Sequence, residues 1–239
     1  MWLFNSSIGR KLVMSVTGIA LVLFITFHGC MNVVALFSEN AYNTICTLLG
    51  SNWYAIAATV VLAALVVIHF IYAFILTMQN RKARGNNKYA KTVKPEKVEW
   101  ASQNMFVLGL IIVCGLLLHL YNFWYNMMFA EIIGDPTMGG HESTDGFDYI
   151  AATFQQPVFV AIYVIWIVAI WFHLTHGFWS AMQTLGWSGH IWFSRWKCIG
   201  QIWSTVVMAL FLIVCIAFAC CPDCLGHADF SILPFSIGK

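Results

Sequence analysis

The feature that most restricts this chain is a set of five apolar runs, at residues 12–37, 53–79, 102–130, 157–186 and 198–220. Each reaches the roughly 20 residues that cross ~30 Å of hydrocarbon at about 1.5 Å per residue. A backbone in lipid must satisfy its own amides, so runs of this length are helices. With 60% of its residues apolar and only 9% charged, the chain lacks the charge that a soluble globule of 239 residues needs. The reading is an all-α integral membrane protein, a single transmembrane domain over residues 1–239 with five helices. The short tails carry no catalytic fold. Arg10 and Lys11 precede the first run as in a signal peptide, but no small-x-small cleavage site follows and the run is long.

Charge sets the orientation. Arg10 and Lys11 precede the first run. Arg81, Lys82, Arg84, Lys88, Lys91, Lys94 and Lys97 fill the second connection, which also holds Gly85 and Pro95, and Arg195 and Lys197 sit in the fourth. The other side carries Glu39, Glu131, Asp135, Glu142, Asp145, Asp148, Asp223 and Asp229, with Lys239 as its one base. By the positive-inside rule the N-terminus is cytoplasmic and the C-terminus outside. An even number of spans would put basic loops on both faces. The acidic, Gly-rich connection over 131–149 is expected to be solvated, with a short helix near 147–154. Tryptophans 53, 100, 124, 187, 192 and 196 lie near run ends, where interfacial anchors belong.

Histidine is out of place in such runs, because an unpaired imidazole in hydrocarbon is costly. Yet the first four runs hold His28, His69, His119 and His173. Counting from the cytoplasmic ends, His28 and His119 both lie ~25 Å in, and His69 and His173 both ~18–20 Å in. Two pairs result, each joining helices of like direction. A six-coordinate b-type haem needs two imidazoles from opposite sides of an apolar bundle. Zinc would need three or four ligands at one depth, and no Asp or Glu lies inside the runs. Gly18, Gly109, Gly115 and Gly177 would let a macrocycle, or a neighbouring helix, approach the backbone. His176 lies one turn from His173 and could replace it; His141, His190 and His227 are expected in solvent.

The cysteines do not form a disulfide framework. Cys30, Cys114, Cys198 and Cys215 accompany the apolar runs as small hydrophobes. Cys220, Cys221 and Cys224 cluster after the fifth run, where an outside location would permit a disulfide. Cys221-Pro222-Asp223-Cys224 has the C-x-x-C form without the strand–helix context of a redox site.

Several stretches carry a resemblance. They are Ser15-Val16-Thr17-Gly18 ahead of His28, Ile68-His69-Phe70-Ile71-Tyr72, His119-Leu120-Tyr121, and Phe172-His173-Leu174-Thr175-His176-Gly177-Phe178-Trp179-Ser180, followed by Gln183-Thr184-Leu185-Gly186-Trp187. Their order and spacing over residues 8–220 resemble the dihaem cytochrome b membrane anchor of succinate:quinone oxidoreductases and quinol:fumarate reductases, the single-polypeptide, five-helix type. The resemblance implies that the first four helices form a haem-binding bundle. His28 and His119 would hold the outer haem iron, His69 and His173 the inner. Relatives can carry Asn at the position of His176, which favours His173 as ligand. It further implies a cytoplasmic flavoprotein subunit with the dicarboxylate site and an iron–sulfur subunit against the basic loop. Some members place a glutamate two residues before the fourth-helix ligand, associated with a compensating proton path; here that residue is Trp171.

The expected function is therefore electron transfer between membrane quinone, menaquinone by preference, and the iron–sulfur and flavoprotein subunits of a succinate dehydrogenase or fumarate reductase. The chain would be an enzyme subunit with no dicarboxylate site of its own, multi-pass in a bacterial cytoplasmic membrane, with a dimer of the whole complex as an option and no nucleic-acid partner. Arg10 and Ser15 are the expected haem-propionate donors; Asn32, Glu39 and Asn122 are the expected quinone contacts at the outer end. Quinol oxidised there would couple turnover to the membrane potential. The alternatives are the cytochrome b anchor of a hydrogenase or formate dehydrogenase, and a non-enzymatic transporter with structural histidines.

Overall fold

The computed structural model describes residues 6–50, 52–84 and 99–228. Gly85, Pro95, Lys88, Lys91, Lys94, Lys97, Asp229 and Lys239 lie outside the described residues. Eight α-helices follow in order: α1 (Ser7–Val33), α2 (Glu39–Gly50), α3 (Trp53–Arg84), α4 (Trp100–His119), α5 (Ala130–Ile133), α6 (Gly146–Phe154), α7 (Pro157–Thr184) and α8 (His190–Cys220). A 3-10 turn, Val34–Leu36, ends α1, and a π-helix, Leu120–Phe129, joins α4 to α5 without a break. Five stretches are long and apolar enough to cross a membrane: Ser7–Leu36, Trp53–Ala83, Trp100–Ile133, Pro157–Thr184 and His190–Cys220. These are the five expected spans, with the first and fifth starting earlier, the second ending later, the third longer at both ends and the fourth ending two residues sooner. The fifth starts at His190, which is exposed on α8 rather than in a loop.

Local chemistry explains the ends. Ser6 Oγ accepts from Gly9 N at 2.9 Å and starts α1. Gly186, at φ +81°, turns the chain after α7 while Trp187 N donates to Met182 O at 3.0 Å. Lipid supplies no hydrophobic force between helices, so close packing and interhelical hydrogen bonds at about 0.6 kcal/mol each must hold them. Trp166 Nε1 donates to Ile112 O at 3.0 Å and Trp171 Nε1 to Thr205 Oγ1 at 3.0 Å. The fifth span is no bystander. A third (33%) of its most apolar window is buried, against none (0%) for the second span.

The residues fall into two compact units. The first comprises residues 1–26, 59–114 and 166–208, the second residues 27–58, 115–165 and 209–239. In the first, Ala101, Leu108 and Ala169 form a buried cluster with Ile112 and Phe172 against it.

The second unit differs from expectation in its connections. The stretch after the first span forms α2, started by Ser38 Oγ accepting from Ala41 N at 3.3 Å. Asn43 Nδ2 donates to Asp145 Oδ1 at 2.6 Å, and Phe147 N donates to Asn43 Oδ1 at 3.0 Å. Gly146 lies so close to Cys46 Sγ and Tyr42 that a β-carbon there has no room. Burial pushes the Cys46 thiol up to about 11, so it is protonated at neutral pH. The 131–149 connection is exposed over 132–137 and at Gly140 and Glu142, as expected, but packed from Ser143 onward. Ser143 N donates to Pro136 O at 2.7 Å, the Ser143 hydroxyl bonds the Glu131 carboxylate, and Tyr149 OH donates to His141 O at 2.9 Å. His141 Nδ1 in turn meets Asp148 Oδ2 at 3.3 Å, with its side chain still 39% exposed, so it pairs without leaving solvent. Glu131, Asp145 and Asp148 are partners for local donors, while Asp135 and Glu142 stay exposed. Beyond α8, Cys221 and Cys224 form a disulfide, and the next residues pair with the end of the first span through Glu39 N to Gly226 O at 3.1 Å and Ala228 N to Phe37 O at 2.7 Å.

Candidate functional site

Each unit holds one pair of facing histidines. In the first unit the His69 and His173 ring centres are 6.4 Å apart, with the planes at 65°. In the second the His28 and His119 ring centres are 5.8 Å apart, at 83°. These are the pairs that counting along the helices selects. Two imidazoles bound to one metal from opposite sides, each through a nitrogen ~2.0 Å from it, have ring centres roughly 6 Å apart. At 6.4 and 5.8 Å, each pair has a spacing of that order.

The protein fixes the ring that His69 presents. The Thr17 hydroxyl is 2.9 Å from Val13 O and 3.0 Å from Met14 O, so its proton points into its own helix. Its oxygen is then free to accept from His69 Nδ1 at 3.0 Å. That assigns the proton to Nδ1 and leaves Nε2 as the bare nitrogen. Thr17 is buried, and a methyl on Gly18 would touch His69 Cε1 at 3.4 Å. Thr17 was quotable from the sequence only as part of a motif; its role needs the 3.0 Å contact across two helices. Opposite, His173 Nδ1 is buried with no hydrogen-bond partner among the described residues. Such an atom calls for a bound group, since an orphaned buried nitrogen costs free energy.

Around the second pair the shell is amide and aromatic. Asn32 Nδ2 lies 3.4 Å from His28 Nε2 and 2.8 Å from His28 O, while Tyr42 OH donates to Asn32 Oδ1 at 3.0 Å. The Phe211 ring stands 5.6 Å from His28, and Phe123 and Tyr163 stand 5.1 and 6.2 Å from His119. Buried Asn122 donates through Nδ2 to Tyr163 OH at 3.3 Å. Asn32 and Asn122 thus each join a member of this pair or its neighbour. Glu39 is exposed at the start of α2.

Ser15 is buried and Arg10 half-buried on α1, in the same unit as His69 and His173. His176 is turned elsewhere: its Nδ1 donates to Glu99 Oε2 at 3.1 Å, and Lys197 Nζ reaches Glu99 Oε1 at 2.7 Å. Burial alone would raise the Glu99 carboxyl, but the hydrogen bonds and charge of Lys197 and His176 outweigh it and hold it below its ordinary value. Sequence reading missed Glu99 because it lies just before a span. Trp124 sits inside the π-helix, short of the span's end at Ile133, with Nε1 buried and unpartnered among the described residues.

Among the described residues no three His, Cys, Asp or Glu side chains gather as a metal cage. Fold and site define a multi-pass helical membrane protein with two facing imidazole pairs. Compared with protein-family models, with curated proteins and with solved structures, the chain gives no match.

Proposed function

We propose that the chain is the membrane-anchor cytochrome b of a succinate dehydrogenase or fumarate reductase, passing electrons between membrane quinone and cytoplasmic iron–sulfur and flavoprotein subunits. The observation that carries the reading is one facing histidine pair in each unit. A b haem bound at each pair supplies reversible one-electron redox chemistry, and ligation on both faces leaves no position for O₂. In this reading His28 and His119 hold one haem, and His69 and His173 the other. Thr17 keeps His69 in the ligating tautomer, and Arg10 and Ser15 receive propionates. Asn32 and Asn122 lie where a quinone near the second pair would meet amides. Dicarboxylate chemistry belongs to the flavoprotein partner. The membrane is the bacterial cytoplasmic membrane, with the N-terminus inside.

Pyridine haemochrome against protein mass should give about two haems b per chain. A ratio near one or zero removes the dihaem reading. Co-purification of a flavoprotein and an iron–sulfur subunit is the expected partner set; a hydrogenase or formate dehydrogenase module would replace it.

A further inference from the structure

A cavity of about 330 Å³ opens in the first unit between α4, α7 and α8, lined by Glu99, Trp100, Ala101, Trp171, Phe172, Thr175, Trp179, Lys197 and Gln201. Its walls are largely aromatic. Trp100 and Phe172 stand 5.0 Å apart at 59°, and Trp171 and Phe172 4.7 Å apart at 63°. Its polar end is built: Glu99 joins Lys197 and His176, and the Lys197 ammonium lies 4.6 Å from the Trp179 ring centre and 4.9 Å from that of Phe193. A half-exposed ion pair adds little stability, so stability alone does not account for setting one in an aromatic wall.

The chemistry of the lining selects a ligand class. An acyl chain would leave the donors unused. A phosphate headgroup would meet the Glu99 carboxylate and find Lys197 already neutralised. A neutral flat ring with two opposed oxygens suits both features: aromatic walls take its faces, and the paired charges leave the site near neutral. Lys197 and Gln201 can donate to carbonyl oxygens, while Glu99 and the Thr175 oxygen, whose proton goes to Phe172 O at 2.8 Å, can accept from hydroxyls, so the oxidised and reduced forms of such a ring both find partners. We propose that this cavity binds the head ring of a para-quinone or its quinol, at the turn of α7 that carries His173 and apart from the Asn32 and Asn122 end. The inference rests on the quinone-linked reading.

The test is photolabelling of the full chain in lipid nanodiscs with a short-chain azido-1,4-naphthoquinone, followed by peptide mapping and a haem assay on the same sample. Adducts competed by unlabelled naphthoquinone are expected on peptides spanning residues 99–101, 171–179 or 197–201. Glu99→Gln should lower competed labelling about tenfold with haem content unchanged, and Gln201→Leu, on an exposed position, should lower it less. Adducts confined to peptides around Asn32 and Asn122, no saturable adduct, competition by phospholipid alone, or full labelling of both variants would overturn the proposal. Haem without these adducts sinks this site and spares the cytochrome reading; adducts without haem do the reverse.

Discussion

The His69/His173 pair and the His28/His119 pair use the same side chains at nearly the same separation, 6.4 and 5.8 Å, in unlike surroundings. The first has its ring set by a hydroxyl, and one turn along α7 the chain reaches a carboxylate and an ammonium through His176. The second is set among an amide and the rings of Phe211, Phe123 and Tyr163. A charge within a few ångströms of a low-dielectric site changes the cost of adding an electron, whereas an aromatic shell mainly excludes water. The same side chains are thus placed in two electrostatic settings; under the cytochrome reading proposed above, that difference would set the two haem potentials apart.

The largest expected effect tests whether the two pairs are separate sites. His69→Ala and His173→Ala should each lower haem content from about two to about one, and His28→Ala and His119→Ala should each remove the other haem. His176→Ala should leave the ratio unchanged, because its ring is committed to Glu99. Loss of both haems from every single variant would merge the pairs into one unit of assembly and end the comparison.

A smaller effect separates the two ways of holding a ring. Thr17→Val keeps the shape and removes the acceptor for His69 Nδ1. Second-shell losses of this kind cost roughly 10- to 100-fold in metal-site affinity, so haem transfer from the first unit to a scavenging apoprotein should speed up by about tenfold. Asn32→Leu should do less, since its Nδ2 stands 3.4 Å from His28 Nε2, at the long limit of a hydrogen bond. Equal effects would mean that the hydroxyl does not set the tautomer.

The smallest effect concerns charge. The Glu99 carboxyl is held below its ordinary value of 4.5, so the stability it contributes is present above that value and fades as pH falls through the lower folded value. Glu99→Gln should therefore lower the thermal midpoint slightly at neutral pH, and the gap should close in acid. At 39% exposure the Glu99 side chain is well screened by solvent, so a shift of a few degrees at most is expected. A gap that widens on acidification would contradict the assignment.

The pairs were legible in the sequence because depth along a helix can be counted and polar groups are rare in apolar runs. Glu99 was not, since it lies outside every run and comes to His176 only through the fold of α4 against α7. Helix α2 and the packing of residues 143–149 were missed for a related reason. Their order comes from specific pairs such as Asn43 with Asp145, which sequence periodicity does not register. The contribution of the fifth span was also hidden, because a helix without histidine reads the same whether it packs or faces lipid.

The π-helix after His119 has a consequence for the length of the chain. Each of its turns holds about one residue more than an α turn. Removing a single residue between Leu120 and Phe129 would relieve that surplus over part of the stretch, and adding one to a neighbouring α segment would turn everything downstream by about 100°. His119 lies upstream of the stretch and α5 lies downstream. Changes of length within these ten residues can therefore re-aim the far end of the span while leaving the histidine in place. A gap beyond Asn122 and Phe123, which pack beside His119 and Tyr163, would spare that shell, whereas one along α1 or α7 would shift a histidine.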